Sequence, residues 1–302
     1  MSPPEKILLI GGTGFIGRAL ALRLAAKGHN VHVLSRTGWR NTPSPPGVSV
    51  HHADQGNAER LAPLLDTCCQ VFHLAAATTP ADTVWQPARE AEQNLLPALR
   101  FLECAQNFPD NRYFFLLTGG ALYGEAARAA EDTLPHPISY HGAGKFALEQ
   151  FFGVLGQRHP GRLTVLRPSN VYGPAQPLRP GFGIIPTLLE RARDGECITV
   201  FGDGSAVRDY LYIDDLVDAC LHAMAGPAGT YNLGSGEGYS INQLLDMIGY
   251  MTGKPLRIDY QPARASDVQC IVLDTRRAQE HLGWQPRVGL LEGLQRCWRG
   301  CA

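Results

Sequence analysis

The sequence predicts an α/β chain built on a doubly wound parallel sheet, with a smaller lobe towards its C-terminus. Three observations predict it. Ile7-Leu8-Leu9-Ile10 is an apolar run suited to a strand covered on both faces, and it leads through glycines at 11, 14 and 17 into the helical stretch Arg18 to Ala26. Apolar strand-like runs then alternate with helical spacing, the pattern of a parallel sheet with helices on both faces. Beyond Pro168 the alternation breaks, and proline and glycine cluster as far as Pro186.

The elements follow in order. Gly28-His29-Asn30 ends the first helix, and Val31-His32-Val33-Leu34 reads as a second strand. Thr42 to Gly47 is a proline-rich loop before a third strand, Val48 to Asp54. Leu61 to Asp66 is a short helix, and Val71 to Ala77 a fourth strand ending in small residues. Helical spacing runs from Trp85 to Asn107, Arg112 to Leu117 is the next strand, and Leu163 to Leu166 the sixth.

The glycines have separate physical tasks. Gly11 permits a sharp turn, Gly14 leaves room for a phosphate at backbone N–H groups, and Gly17 lets helix and strand approach closely. The helix start then offers unpaired N–H groups and a positive dipole end to a pyrophosphate. Strand, glycine turn and helix in this order predict a dinucleotide-binding Rossmann unit. At the tip of the second strand an acidic residue would accept from a free ribose 2′-hydroxyl, whereas Ser35, Arg36 and nearby Arg40 suit a 2′-phosphate, which favours NADP over NAD.

Composition narrows the partners. Across 302 residues the net charge is −1 and 18% of residues are charged, so no basic face points to nucleic acid. The eight cysteines form no CxxC pair and stand in no metal-ligand spacing with histidine, which fits free thiols in a reducing compartment and no metal site. No apolar run reaches membrane-span length, and Ser2 to Lys6 lacks the apolar segment of a signal peptide, so the expected location is cytoplasmic.

Together these stretches resemble the extended short-chain dehydrogenase/reductase family, in its NAD(P)-dependent nucleotide-sugar epimerase/dehydratase branch. The likeness is carried by the glycine stretch 11–17, Asp54, Phe72-His73-Leu74-Ala75-Ala76, Asn94, Tyr123-Gly124 and Arg167 to Pro174. It continues through Arg208-Asp209-Tyr210 with Asp214-Asp215, Tyr231 to Gly236 and Leu282 to Pro286. The resemblance implies a dinucleotide-binding domain over residues 1–170, with about 208–232 returning to it, and a mainly substrate-binding lobe over 171–302. It implies a cofactor set of Gly11, Thr13, Gly14, Phe15, Ile16, Gly17, Ser35, Arg36, Asp54, Leu74, Ala75, Ala76, Asn94, Lys145 and Pro168. Substrate contacts are expected from Tyr123, Asn170, Arg208 and Arg264, the arginines on the pyrophosphate because a planar guanidinium bonds phosphate oxygens in pairs. A homodimer through a four-helix bundle, built on the helix around Leu95 to Leu102 and on the one carrying Phe146, Leu148, Phe151 and Phe152, is also implied. For Asp214 and Asp209 structural roles are expected, capping the helix from Leu216 and orienting Arg208.

The pattern breaks at the chemistry. The family uses a Ser or Thr, a Tyr, and a Lys four residues after that Tyr. Four residues along a helix turn through about 400°, so such a pair shares a face, whereas five leave about 140° between them. In Ser139-Tyr140-His141-Gly142-Ala143-Gly144-Lys145 the residue four before Lys145 is His141, and Tyr140 is five away. Four before Tyr123 stands Gly119, with Thr118 one place early on a strand whose neighbouring side chains alternate in direction. The catalytic candidates are therefore His141, Lys145, Tyr140 and Thr118. Histidine, with an ordinary pKa near 6.5, exchanges protons near neutrality and suits carbonyl reduction. Two readings stand for the whole chain: an enzyme that reduces a keto-sugar nucleotide, or epimerises or dehydrates one, and a catalytically degenerate NAD(P)-binding regulatory or sensor protein.

Overall fold

A computed structural model describes residues 5–39, 43–178, 183–263 and 268–300. Strand β1 (Lys6–Ile10) sits inside a seven-stranded sheet with β2 (Asn30–Ser35), β3 (Val48–His52), β4 (Gln70–His73), β5 (Arg112–Leu116), β7 (Leu163–Pro168) and β12 (Thr230–Leu233), ordered β12-β7-β5-β4-β1-β2-β3. Every pairing is parallel. Ile7, Leu8 and Leu9 have no exposed surface, at roughly 1.5–3 kcal/mol for each side chain taken out of water. Helices cover both faces: α1 (Phe15–Ala26) and α7 (Ile213–Ala225) one, and α2 (Ala58–Thr67), α4 (Leu96–Ala105) and α5 (Tyr140–Arg158) the other.

The order reverses between β1 and β4, which stay paired through Ile10 and His73, so the chains leaving the two strands turn to opposite faces of the sheet and leave a crevice at the carboxyl ends. The fourth strand is shorter than its apolar run, ending at His73, and Leu74 to Thr79 continue as irregular chain. The segment expected as one helix from Trp85 to Asn107 follows a 3₁₀ turn (Pro80–Thr83) and is itself divided into a short helix α3 (Pro87–Glu90), a π-helical turn (Ala91–Leu95) and α4. Such turns break the regular backbone ladder and are frequent at functional sites.

Strand β6 (Ala126–Ala129), not foreseen from its sequence, joins β10 (Val207–Arg208), β13 (Tyr239–Ser240) and β15 (Cys270–Leu273) in a four-stranded sheet. Two small parallel pairs complete the outer part, β8 (Asn170–Tyr172) with β11 (Tyr210–Tyr212) and β9 (Cys197–Phe201) with β14 (Arg257–Gln261). Helices α6 (Ile184–Asp194), α8 (Ile241–Thr252) and α10 (Leu290–Gly300) surround a separate apolar cluster there. Helix α9 (Arg276–Leu282) and Trp284 return to the α1 side, where the indole N–H donates to the Asp215 carbonyl at 3.0 Å. No described helix is long and apolar enough to cross a membrane.

Candidate active site

The first turn of the crevice is glycine for steric reasons. Gly11 has φ +81°, and a Cβ on it would sit 2.8 Å from Ala75 Cα. A Cβ at Gly17 would lie 2.5 Å from Gly12 Cα and 2.7 Å from the Gly11 carbonyl oxygen, so α1 could not pack so closely on β1. Gly14 has the opposite surroundings, for its Cβ would meet only the Gly11 oxygen at 3.4 Å. It is the N-cap of α1, whose first turn holds no acidic side chain. Open space, free N–H groups and an uncompensated dipole at one point fit a dinucleotide's diphosphate.

At the tip of β2, Thr13 Oγ1 lies 2.6 Å from Ser35 Oγ and 3.1 Å from Thr37 Oγ1, three hydroxyls in a cluster beside exposed Arg36. Asp54 is exposed, and its Oδ1 accepts from the Gly56 N–H at 2.9 Å. Arg40 and Arg264 lie outside the described residues.

Helix α5 sorts its own candidates. Ser139 caps it, with Oγ accepting from the Gly142 N–H at 3.0 Å, so Tyr140 is the first helical residue. Tyr140 points outward and is 44% exposed, whereas His141 and Lys145 are 8% and 4% exposed, stacked one turn apart on the inner face. Tyr140, a catalytic candidate by sequence, is thereby turned away from His141 and Lys145: the cap starts the helix regularly and sets its phase. Two glycines let this helix seat. A Cβ on Gly142 would collide with the Ala121 carbonyl oxygen, and one on Gly144 would lie 2.8 Å from Glu90 Cγ.

Glu90 is 3% exposed, and its carboxylate takes a hydrogen bond from Thr78 Oγ1 at 2.5 Å and one from Asn94 Nδ2 at 2.8 Å. Its Oε2 lies 3.5 Å from His141 Nδ1. Although burial works against its charge, the hydrogen bonds from His141, Thr78 and Asn94 hold its carboxyl below the usual glutamate range. Lys145 has no hydrogen-bond acceptor among the described residues. Burial draws its ammonium down to about 8, opposed by the Glu90 charge. Burial and the neighbouring Lys145 charge pull His73 down to about 3, and its Nε2 pairs with Gln55 Oε1 at 2.6 Å.

Several expected contacts turn out to be internal. Asn94, expected on the cofactor, has Oδ1 taken by the Ala77 N–H at 2.7 Å and its amide hydrogens by Glu90 and Thr78, because the π turn aims it under the β4 end. Tyr123, expected on substrate, is 2% exposed; it accepts from Arg167 Nη1 at 2.5 Å and donates to Asn232 Oδ1 at 2.7 Å. Arg167 also bonds Glu149 on α5, a buried ion pair that ties the helix to β7. Asp209 does not orient Arg208: buried, it accepts from the Ser235 hydroxyl at 2.7 Å and N–H at 2.8 Å, while Arg208 Nη1 donates to the Val207 carbonyl at 2.9 Å. Asp214 is no cap either. Helix α7 begins at Ile213, and Asp214 pairs loosely with Arg23 and Arg296 at 3.8 and 3.7 Å.

Asn170 lies exposed at the start of β8, its Nδ2 donating to the Asp209 carbonyl at 2.9 Å, beside Gly120. Pro168 is buried at the end of β7, accepting from the Gly119 N–H at 2.7 Å. Thr118 is half-buried, with Oγ1 at 3.4 Å from the Ala121 N–H. At Gly119 a Cβ would lie 2.6 Å from Leu273 Cδ1.

Over residues 7–234 the chain matches the family described as NAD dependent epimerase/dehydratase. The chain belongs to that family. It is 32% identical over 306 residues to a UDP-glucose 4-epimerase of Mycolicibacterium smegmatis, covering 96% of each. It is 27% identical over 304 residues to a dTDP-4-dehydro-6-deoxyglucose reductase of Escherichia coli, covering 96% of this chain and 95% of that one. The solved UDP-glucose 4-epimerase of Thermus thermophilus, in complex with NAD, superposes with a TM-score of 0.90 at 32% identity over 98% of both chains.

Within this epimerase/dehydratase member, the sequence reading missed Glu90, Thr78 and the Arg167–Glu149 pair. The one signal available for Glu90 was the Gly-Ala-Gly run before Lys145. Two glycines inside a helix cost about 1 kcal/mol each against alanine, so each needs a packing reason.

Proposed function

We propose that this chain is a NAD(P)-dependent oxidoreductase acting on a nucleotide-diphosphate sugar, with reduction of a keto-sugar as its favoured direction. The observation that carries this reading is Lys145, a buried ammonium with no described hydrogen-bond partner, one helical turn from His141 and near enough to His73, at the end of β4, for its charge to act there. A buried charge needs an acceptor, and the ribose hydroxyls of a nicotinamide nucleotide are of the right kind.

A bound nicotinamide supplies or accepts a hydride. Gly11, Gly14 and Gly17 with the start of α1 would take its diphosphate, and Ser35 and Arg36 its adenosine ribose. The hydroxyl cluster beside Arg36, at the strand tip where an aspartate would select a free 2′-hydroxyl, supports NADP over NAD. His141 would hold or release the proton at the sugar carbonyl oxygen, and Arg208 with Arg264 would meet the sugar nucleotide's phosphates. The relatives named as UDP-glucose 4-epimerase and dTDP-4-dehydro-6-deoxyglucose reductase support a nucleotide sugar as substrate. Exposed Leu96, Phe151 and Val154 on α4 and α5 support pairing of two copies through these helices.

The test mixes purified protein with NADPH or NADH and a panel of 4-keto nucleotide sugars and UDP-hexoses, following nicotinamide absorbance and the sugar product. Turnover is expected to fall by about two orders of magnitude or more in His141→Phe and to survive in Tyr140→Phe. Tight dinucleotide binding with no sugar turned over would instead establish the sensor reading. Equal affinity for the two nucleotides would remove the argument from Arg36.

A further inference from the structure

Two groups meet His141 Nδ1 from below. Thr78 Oγ1 lies 3.4 Å away and Glu90 Oε2 3.5 Å away, and Asn94 holds both. A hydroxyl has one proton, and that of Thr78 is given to Glu90 Oε2 at 2.5 Å. Thr78 therefore has none to give the imidazole, and a carboxylate only accepts. Nδ1 must be the donor, so the neutral ring carries its hydrogen there and its lone pair on Nε2. No described group bonds Nε2, and it is not among the sealed, unpartnered polar atoms.

The carboxylate is built in rather than incidental. Its helix ends in the π turn that also presents Asn94, and Gly144 leaves the hollow it fills, for a Cβ there would lie 2.9 Å from Oε1. We propose that Glu90 is the positioning residue for His141, fixing Nδ1–H and leaving Nε2 as the atom that exchanges a proton with the substrate oxygen. This rests on the reading of His141 as the proton carrier. During reduction the Nε2–H bond of the imidazolium breaks and an O–H bond forms on the sugar, while the carbonyl carbon takes a hydride from a reduced nicotinamide nucleotide. The ring is left neutral with Nδ1–H still on Glu90, and solvent restores the Nε2 proton. The charged groups on this face are Glu90, against Nδ1, and Lys145, one turn along the same helix. His73, facing Lys145 from β4, stays neutral and adds no charge.

The experiment is ¹⁵N NMR of the His141 ring across pH in wild type, Glu90→Gln and Gly144→Ala, with circular dichroism to establish folding and nucleotide binding measured in parallel. Wild type is expected to show a protonated Nδ1 in the neutral ring. In Glu90→Gln the Nδ1 hydrogen should no longer be fixed, because an amide can donate as well as accept, and the neutral ring should show the Nε2–H tautomer in comparable amount. Gly144→Ala pushes Glu90 aside without altering any charge and should loosen the tautomer in the same way. On any sugar turned over, kcat at neutral pH should fall about tenfold, part of the roughly 10²–10⁴ that a positioned proton donor contributes, with KM within about twofold. A His141 tautomer unchanged in both variants, or a hydrogen on Nε2 in the neutral wild-type ring, overturns the proposal. Absence of turnover with every sugar would overturn the enzymatic reading alone, because the NMR result decides the role of Glu90 without substrate.

Discussion

At Gly119, where the sequence reading expects the family's Ser or Thr, the lack of a side chain is enforced by a neighbour. Leu273, from β15, holds the space a side chain would need, with the Arg167 carbonyl oxygen 3.1 Å away on the other side. Gly119→Ser should therefore destabilise the chain by about 1–3 kcal/mol through overpacking, read as a lower urea midpoint at unchanged slope. Gly119→Ser with Leu273→Ala should recover part of that loss. A single variant as stable as the parent would mean that Leu273 yields without cost. The same crowding argument explains the helical glycines at 142 and 144, whose spaces belong to the Ala121 carbonyl and to Glu90.

Helix α5 carries two buried charges on one side, Lys145 beneath the crevice and Glu149 against Arg167. Glu149 is paired, but Lys145 is held only by the field of Glu90, and burial lowers its pKa from 10.5 to about 8. Between about pH 8 and 10.5 the unfolded chain therefore binds a proton that the folded chain does not, and stability from this group rises with pH. Buried tyrosines such as Tyr113 and the thiol of Cys220, all pushed up by burial, act in the opposite sense. The measured quantity is accordingly a difference. Between about pH 8 and 10, wild type without added nucleotide should gain urea resistance relative to Lys145→Met. Parallel curves for the two proteins would show that Lys145 is not desolvated in solution.

At the scale of the molecule, the sheet places β1 and β4 at a reversal of strand order, where Ala75 after β4 packs on Gly11, while Ala121 after β5 packs on Gly142 at the start of α5. The outer lobe, with its own apolar core around Leu188, Ile248 and Leu294, stands over the same end through β8 and β11. Exposed Phe151 and Val154, each 48% accessible, with Leu96 at 45%, leave an uncovered apolar strip on the α4 and α5 face. Phe151→Glu should convert a dimer into a monomer in light-scattering chromatography while leaving the circular dichroism spectrum intact. A wild-type chain that runs as a monomer at all concentrations would remove the bundle from the account.

The parallel sheet, the glycine turn and the histidine on the same helix face as Lys145 were all legible in the chain, because each depends on local spacing: four apolar residues, glycines three apart, four residues between side chains that share a helix face. Tyr140 lost its place for a local reason too, the Ser139 cap that sets the helix phase. The partner of His141 was not legible. Glu90 is 51 positions away on a helix interrupted by a π turn, and only folding brings α3 against α5 and puts its carboxylate in the hollow beside Gly144. The inward bonds of Asn94, Tyr123 and Asp209 were not legible for the same reason, since a polar residue type suits a ligand, a chain neighbour or a core alike. The sequence by itself determined the fold, the glycine turn and the phase of the helix that carries His141 and Lys145, because backbone periodicity is local. Which polar groups face inward to one another and which are left for a substrate was decided by the tertiary structure, because hydrogen-bond satisfaction is set by neighbours in space.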